Sequence, residues 1–499
     1  MNETLLLTVI LNLLLAQGLM GAFDTLWHHE IRCALPRQLN AAAELRLHAV
    51  RAVLYGVLFA GIAWFAWGGG FLILLWTIVG IEVALTLRDF VVEDQTRALP
   101  PSERVTHTLL AINGGALFGL LAWHSASWWA LPTGLHWTPH GWHSGLLTAC
   151  AIGVTASGLR DAVASRALFK RPAEARFDFA GGAPRRRART FLLTGGTGFI
   201  GQTLVRALLA DGHRVILWAR QPRVASQLFD GRAACVASLA ELDPATVIDI
   251  VINLAGAPIL GPRWSAARQR TLIASRVETT RALGDWLAAA AHRPSLMISA
   301  SAIGYYGIQR PDDPCSLDES AKAGNDFPAR LCAQWEAAAA AATQIGMPLA
   351  IVRLGIVLGH QGALPAMLLP VRIGLGGPLA GGRQALSWIH VDDVIGAFAW
   401  LCRGDGAVIE PGQAAVYNLV APEVVTQATF VRAAAATLRR PALTPTPAWP
   451  LRLLLGESAT LLLDGARVAP ARLTGEGYAF RFPALKPALA ALLGQRRQP

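Results

Sequence analysis

The sequence predicts two structural classes in one chain: an all-α transmembrane helical bundle, then an α/β doubly wound parallel sheet. Three observations carry this. Five apolar stretches crowd the first third of the chain. The run Thr190 to Gly201, TFLLTGGTGFIG, sets a glycine-rich turn between an apolar segment and an amphipathic one. Beyond it, short apolar runs alternate with helical stretches, the pattern of parallel strands joined by crossover helices. The divisions predicted are 1–168 for the bundle, 169–189 for a basic linker, 190–440 for the sheet domain and 441–499 for a small C-terminal domain.

Composition limits the function classes. Of 499 residues, 53% are hydrophobic and 15% charged, too apolar for one soluble enzyme of this length. The net charge of +11 invites a nucleic-acid reading. The arginines, however, sit beside the apolar segments, and no basic helix carries interleaved aromatics. Membrane lipid is the expected partner, and nucleic acid is not. The six cysteines contain no CxxC pair, so neither a disulfide framework nor a zinc site is supported.

The spans are expected at about Leu5–Phe23, Ala49–Trp67, Phe71–Leu87, Thr108–Trp123 and His143–Leu159, some short of the ~20 residues that cross a bilayer. Gly68-Gly69-Gly70 marks a tight turn between the second and third. Arg32, Arg37, Arg46 and Arg51 follow span one, Arg88, Arg97 and Arg104 follow span three, and Arg160, Arg166, Lys170, Arg171 and Arg185-Arg186-Arg187 follow span five. The stretch from Trp123 to His143 has no Lys or Arg. The positive-inside rule then places the N-terminus outside and the C-terminal domain in the cytoplasm, in a multi-pass protein of the inner (cytoplasmic) membrane. The first segment reads as a retained anchor, because its n-region has Glu3 and no basic residue.

Asp24 and His28, Glu44 and His48, and Glu103 and His107 are spaced i,i+4, which puts each pair on one helical face. His29, Glu30, Asp89, Glu93 and Asp94 lie at the same ends, and Glu82 lies within span three. Such groups converging in a bundle suit iron or manganese. They equally suit helix caps and headgroup contacts, and familiar di-iron bundles use an i,i+3 Glu–His spacing. No metal ligand is assigned.

In the sheet domain, Gly195, Gly198 and Gly201 let the chain turn tightly, approach a pyrophosphate and pack helix on strand. The cofactor contacts predicted are Thr194, Gly195, Gly196, Thr197, Gly198, Phe199, Ile200 and Gly201, where a helix N-terminus favours an anion. A strand at His213–Ala219 ends at Arg220, with Arg223 nearby, where an NAD site would carry an acidic residue. Arg220 suits a 2′-phosphate, so NADP is the cofactor expected; the alternative is an exposed strand-end arginine. Val247–Leu254 is a further strand, and Leu254, Ala255 and Gly256 at its end complete the cofactor contacts. Strands at Leu296–Ala300 and Leu349–Leu354, with a helix at Trp335–Ile345, complete a Rossmann-like fold.

The stretches TGGTGFIG, VINLAGAPILGPRW, SRVETTRAL, SASAIGYYG, FPARLCAQWE, IVRLGIVLG, GGRQALSWIHVDDV and YNLVAPEVV carry a resemblance. From Thr190 onward the chain resembles the extended short-chain dehydrogenase/reductase superfamily, in its sugar-nucleotide-epimerase-like group. The segment from Pro441 to Leu493 is similar to the short C-terminal domain appended there. The resemblance implies NADP binding, with a substrate held by the C-terminal part. It places Ser301 near the catalytic serine, and Trp388, His390 and Asp392 near a substrate cleft. Counting from Glu336, however, Pro328 and Cys332 stand where the family carries the Tyr and Lys of its Tyr-x-x-x-Lys pair. Either Tyr305, Tyr306 or His390 takes over as acid/base, or hydride transfer is lost; each of the three also suits a packing or satisfied hydrogen-bonding role.

The leading expectation is a membrane-anchored NADP(H)-binding oxidoreductase or epimerase-like protein. Its small-molecule substrate is a nucleotide sugar or a small carbonyl or hydroxyl compound, with Ser301, Tyr305 and Tyr306 as catalytic candidates. A second is a non-catalytic NADP(H)-binding redox sensor or assembly factor with membrane partner proteins. A third couples NADPH to a metal- or quinone-linked bundle.

Overall fold

The computed structural model describes residues 2–32, 35, 42–96, 101–169, 177–180, 188–243, 245–261, 263–406, 408–442 and 444–494. Most of the basic linker, with Lys170, Arg171 and Arg185-Arg186-Arg187, lies outside them, as do Arg37 and Arg97. The chain divides into two compact units, Met1–Pro172 and Ala173–Pro499.

In the first unit, five helices are long and apolar enough to cross a membrane: α1 (Glu3–Phe23), α2 (Ala42–Trp64), α3 (Phe71–Thr96), α4 (Pro101–Trp129) and α5 (Trp142–Phe169). Leu19, Ile73, Ile112, Ile152 and Leu159 are exposed on their outer faces, while Ile10, Leu14, Leu58, Leu75 and Leu121 fill the interior. Helices α2 and α5 approach closely through small residues. A Cβ on Gly158 would lie 2.6 Å from that of Ala52, and one on Gly56 would lie 2.3 Å from Thr155 Oγ1.

These helices are longer than their apolar runs, because the flanking polar residues stay helical. Glu44 and Glu103 sit in the first turns of α2 and α4, and Glu93 near the end of α3. Arg46 and Arg51, expected in a loop, lie in α2. Past α1 the chain runs on as a π-helix over Asp24–Arg32. At the other end, Phe65–Gly68 leaves α2 as a strand and pairs antiparallel with Gly134–Trp137. Gly69 makes the following turn at φ +49°.

The second unit is built on seven parallel strands: β1 (Thr190–Thr194), β2 (Arg214–Trp218), β3 (Ala234–Val236), β4 (Ile250–Asn253), β5 (Leu296–Ala302), β6 (Leu349–Leu354) and β7 (Ala414–Leu419). Their order is β7-β6-β5-β4-β1-β2-β3, a doubly wound Rossmann-like sheet that reverses direction at β1. Residues alternate between two covered faces. Phe191 and Leu193 pack with α6 (Phe199–Ala210) on one side, and Leu192 and Val251 pack with α7 (Thr279–Ala289) on the other. Helix α8 (Phe327–Ala339) ends earlier than its alanine-rich sequence suggests, and a short turn of helix, Ala341–Gln344, follows. Strand β4 starts only at Ile250, because Val247 is exposed and Asp249 turns its carboxylate to Thr190 N, 2.6 Å away.

Helix α9 (Val391–Arg403) carries the joint to the C-terminal segment. The buried Asp393 carboxylate accepts the N–H groups of Arg481 (2.6 Å) and Phe482 (2.9 Å). Leu485, Leu489 and Leu492 then pack with Phe430 and Leu368. Asp393→Ala leaves two backbone donors without their acceptor. A loss of about 2–3 kcal/mol of stability is expected in denaturant unfolding, against under about 1 kcal/mol for the more exposed Asp392→Ala.

Candidate functional site

Two polar rows cross the sheet near the carboxyl ends of its strands. In the first, Thr194, Asn253 and Ser299 are in register on β1, β4 and β5. Thr194 Oγ1 donates to Asn253 Oδ1 (2.6 Å) and accepts from Ala255 N (3.1 Å), while Asn253 Nδ2 donates to Thr280 Oγ1 (2.8 Å). Trp335 Nε1 donates to the same Thr280 hydroxyl (3.1 Å). The Thr194 side chain is therefore a brace that ties β1 to the loop after β4.

That brace positions the glycine turn. Gly195 has φ +69°, and a Cβ there would lie 2.4 Å from Leu254 O, so any side chain would drive the turn off the loop that carries Leu254, Ala255 and Gly256. A Cβ on Gly201 would lie 2.2 Å from Gly195 O, which lets α6 start directly under the turn. Gly198 caps α6 without a side chain, so the first-turn N–H groups of Phe199, Ile200 and Gly201 have no acceptor within the helix. The Phe199 ring is engaged elsewhere, in the space left by Gly359 and Gly362. Gly196 abuts Leu217, Thr197 is exposed, and Ile200 packs against the core. Arg220 and Arg223 are both exposed just past β2.

In the second row, Ser301, Arg353 and Asn418 are in register on β5, β6 and β7. Arg353 is 3% exposed and grips Glu336 of α8 through Nε and a terminal nitrogen, each 2.8 Å from a carboxylate oxygen. Ser301 Oγ donates to the same Glu336 (2.6 Å). Arg353 also donates to the Tyr306 hydroxyl (2.9 Å), which donates in turn to Asn418 Oδ1 (2.7 Å). The Tyr305 ring lies 3.4 Å below the guanidinium carbon. Ser301, Tyr305 and Tyr306 are thus brought together around one buried ion pair.

Electrostatics limits what these groups do. Burial raises the Tyr306 hydroxyl above its ordinary pKa, and the hydrogen bond from Arg353 offsets this only in part. Burial likewise pushes the Cys332 thiol up to about 11, so the residue at the family's lysine position supplies neither a cation nor a thiolate. His390 caps α9, accepting from Asp392 N at Nδ1 (3.0 Å), and its ring lies tilted against that of Phe482, with centroids 4.0 Å apart. Burial, then the Arg481 charge, depress its pKa to about 4, so the imidazole is neutral at pH 7.

Sequence reasoning missed the roles of Glu336, Arg353 and Asn418. The signal was a lone arginine inside the apolar strand LAIVRL, which needs a buried counter-charge. It also missed Arg276, which braces the loop after β4 by donating to Ala257 O (3.0 Å) and Leu272 O (3.2 Å).

Comparison with known proteins matches residues 191–419 to the NAD dependent epimerase/dehydratase family, and residues 446–492 to a domain of unknown function, DUF1731. The mouse epimerase family protein SDR39U1 is 38% identical over 303 residues, which is 60% of this chain and 97% of that protein. The chain belongs to the epimerase family. Epimerase family protein YfhF of Bacillus subtilis is 33% identical over 313 residues, covering 61% of this chain and 98% of YfhF. The crystal structure of human epimerase family protein SDR39U1 (isoform 2), solved with NADPH, superposes with a TM-score of 0.53. It is 33% identical and covers 61% of this chain and 99% of that one. Both family matches fall in the second unit.

Two outcomes follow for this epimerase-family domain. Glu336→Gln strands the Arg353 charge and is expected to cost about 3–5 kcal/mol in unfolding experiments. Glu336→Leu with Arg353→Met is expected to cost less, about 1–3 kcal/mol, because the buried charge is gone and the Ser301 hydroxyl is left without its acceptor. The second concerns His390, whose folded pKa of about 4 lies below its unfolded value of about 6.5. Between those values the unfolded chain binds a proton that the native chain does not. The stability tied to neutral His390 is therefore full above about pH 6.5 and is lost as pH falls toward about 4. His390→Asn retains a capping side chain, and its stability curve should be flatter in that window by up to about 3 kcal/mol.

Proposed function

We propose that the chain is an NADP(H)-binding oxidoreductase or epimerase-like protein, anchored by its first unit in the inner membrane with the second unit in the cytoplasm. One observation carries the cofactor reading: the side-chain-free turn Gly195–Gly201, set against Leu254–Gly256, opens an uncapped helix beside the exposed Arg220. The N–H groups of Phe199, Ile200 and Gly201 would hold a pyrophosphate and Arg220 a 2′-phosphate. The human relative solved with NADPH supports the same cofactor. When bound, the nicotinamide supplies or accepts hydride. Five long apolar helices and the basic flanks support the anchoring.

The chain's own groups set the proton chemistry. With its proton given to Glu336, Ser301 Oγ offers lone pairs, so it would accept a hydrogen bond from a substrate hydroxyl. Tyr305, half-buried over Arg353, is the tyrosine nearer to solvent. A second reading, a non-catalytic NADP(H) sensor or assembly factor, is favoured by a specific fact. Ser301 and Tyr306 are both buried and already hydrogen-bonded, and Cys332 replaces the lysine.

Fluorescence titration of the full-length protein in detergent should show NADPH binding about tenfold or more above NADH, with Arg220→Glu abolishing the difference. Equal affinities in the wild type remove the role given to Arg220. If NADPH binds and a panel of carbonyl and hydroxyl substrates is turned over, Ser301→Ala should lower kcat about 10²-fold or more. Binding without any turnover selects the sensor reading.

A further inference from the structure

We propose that the helical bundle of the first unit holds a dinuclear metal site for iron or manganese, independently of any nucleotide bound by the second unit. Among the described residues, two groups of donors are gathered. Asp24, His29, Glu103 and His107 form one, and His29, Glu44, His48 and Glu93 the other. Within each group one donor atom per residue lies within 4.8 Å of all the others. The two groups share His29, and His107 Nδ1 of the first lies 3.3 Å from Glu93 Oε2 of the second. Four helices supply the set, so no local sequence motif contains it.

The π-helix makes the site. In an α-helix Asp24 would face His28, four residues on, as the two do here at 2.7 Å. Over Asp24–Arg32 the winding is wider, with i→i+5 bonding, and this also turns His29 to the Asp24 face. His29 Nε2 then lies 3.4 Å from Asp24 Oδ2 and 3.4 Å from Glu103 Oε1. Among the described residues this nitrogen has no hydrogen-bond partner, although the side chain is only 9% exposed. His48 Nδ1 is likewise buried without a hydrogen-bond partner among the described residues.

Distance and charge decide between a hydrogen-bonded network and a metal. Bond lengths of about 2.1 Å place neighbouring ligands about 3.0–3.4 Å apart, from octahedral to tetrahedral angles. The spacing of His107 Nε2 from Asp24 Oδ2 is 3.1 Å, and both His29 spacings are 3.4 Å. A histidine nitrogen left 3.4 Å from two carboxylates and hydrogen-bonded to neither is poorly satisfied as a hydrogen-bonding group and well placed as a ligand. Asp24, Glu44, Glu93 and Glu103 carry the charge that balances two divalent ions. Three imidazoles complete an oxygen-rich set, which suits iron or manganese at five or six coordination better than tetrahedral zinc. His28 and Asp89 form the surrounding shell: His28 bonds Asp24 Oδ1, and Asp89 Oδ2 lies 3.1 Å from His48 Nε2 and 2.5 Å from Arg51.

The test is metal analysis of the full-length protein, purified in detergent from cells supplied with iron and manganese. About two ions per chain are expected, as in carboxylate-bridged bundles. His29→Gln should remove most of both, and Glu44→Gln and Glu103→Gln should each remove about half. His140→Gln, outside the cluster, should keep them. Gel filtration and helical circular dichroism show whether each variant is folded, and if His29→Gln is not, the two glutamate variants carry the test. Manganese added to chelator-stripped protein should give the paramagnetic resonance spectrum of two exchange-coupled ions, not that of an isolated ion. A wild-type content under about 0.2 ions per chain that stays there after titration with either metal overturns the proposal. So does metal that survives in folded His29→Gln protein, or zinc bound to the exclusion of both iron and manganese.

Discussion

The ion pair between Arg353 and Glu336 is the interaction on which the candidate site depends. Taking a guanidinium and a carboxylate out of water is expensive, and their mutual attraction roughly repays it only when the remaining donors and acceptors are also satisfied. Here Ser301 and Tyr306 provide that satisfaction, and Tyr305 covers the guanidinium face. The Ser301 hydroxyl, which the resemblance places near the family's catalytic serine, and the Tyr306 hydroxyl therefore both serve the fold. A cation does stand beside a tyrosine, as in the Tyr-x-x-x-Lys arrangement, but it comes from strand β6 and not from helix α8. Burial outweighs it, so Tyr306 is not poised as an acid/base at neutral pH.

Strand register explains why both polar rows form where they do. Thr194, Asn253 and Ser299 align on three strands, and Ser301, Arg353 and Asn418 on three. Ser299 and Ser301 belong to the same face of β5 because side chains alternate with period two. One strand thus links the glycine turn to the ion-pair network. A shift of one residue in β5 would turn both serines to the opposite face and leave Asn253 and Glu336 without them.

The fold was largely legible in the sequence, because hydrophobic periodicity and the glycine turn are local signals. TFLLTGGTGFIG encodes strand, turn and helix within twelve residues, and the tightness of Gly195 and Gly201 follows from it. The candidate site was legible only in part. Ser301 and Tyr306 could be placed by motif, but their partners Glu336, Arg353 and Asn418 are 35, 47 and 112 residues away along the chain. Those pairings are set by sheet order, which no short window contains. In the bundle the i,i+4 pairs were visible, while the part played by His29 was not. It depends on a local change from α to π winding that residue spacing alone does not announce.

The bundle's polar chemistry follows from topology in a similar way. Successive helices run in alternating directions, so the end of α1, the start of α2, the end of α3 and the start of α4 meet at one end. Each brings a carboxylate, and the π-helix, α2 and α4 bring imidazoles. Were these residues only interfacial caps, their side chains would turn outward to water or headgroups. Asp24, His28, Glu44, Glu93 and Glu103 are instead 5% exposed or less. Four carboxylates buried this deeply require compensating positive charge nearby, and protons on the imidazoles or metal ions are two ways to supply it. Protons would favour short, directed hydrogen bonds throughout. The contacts of His29 Nε2 with Asp24 and Glu103 are neither short nor directed, and that is the strongest physical reason to look for metal at this end of the bundle.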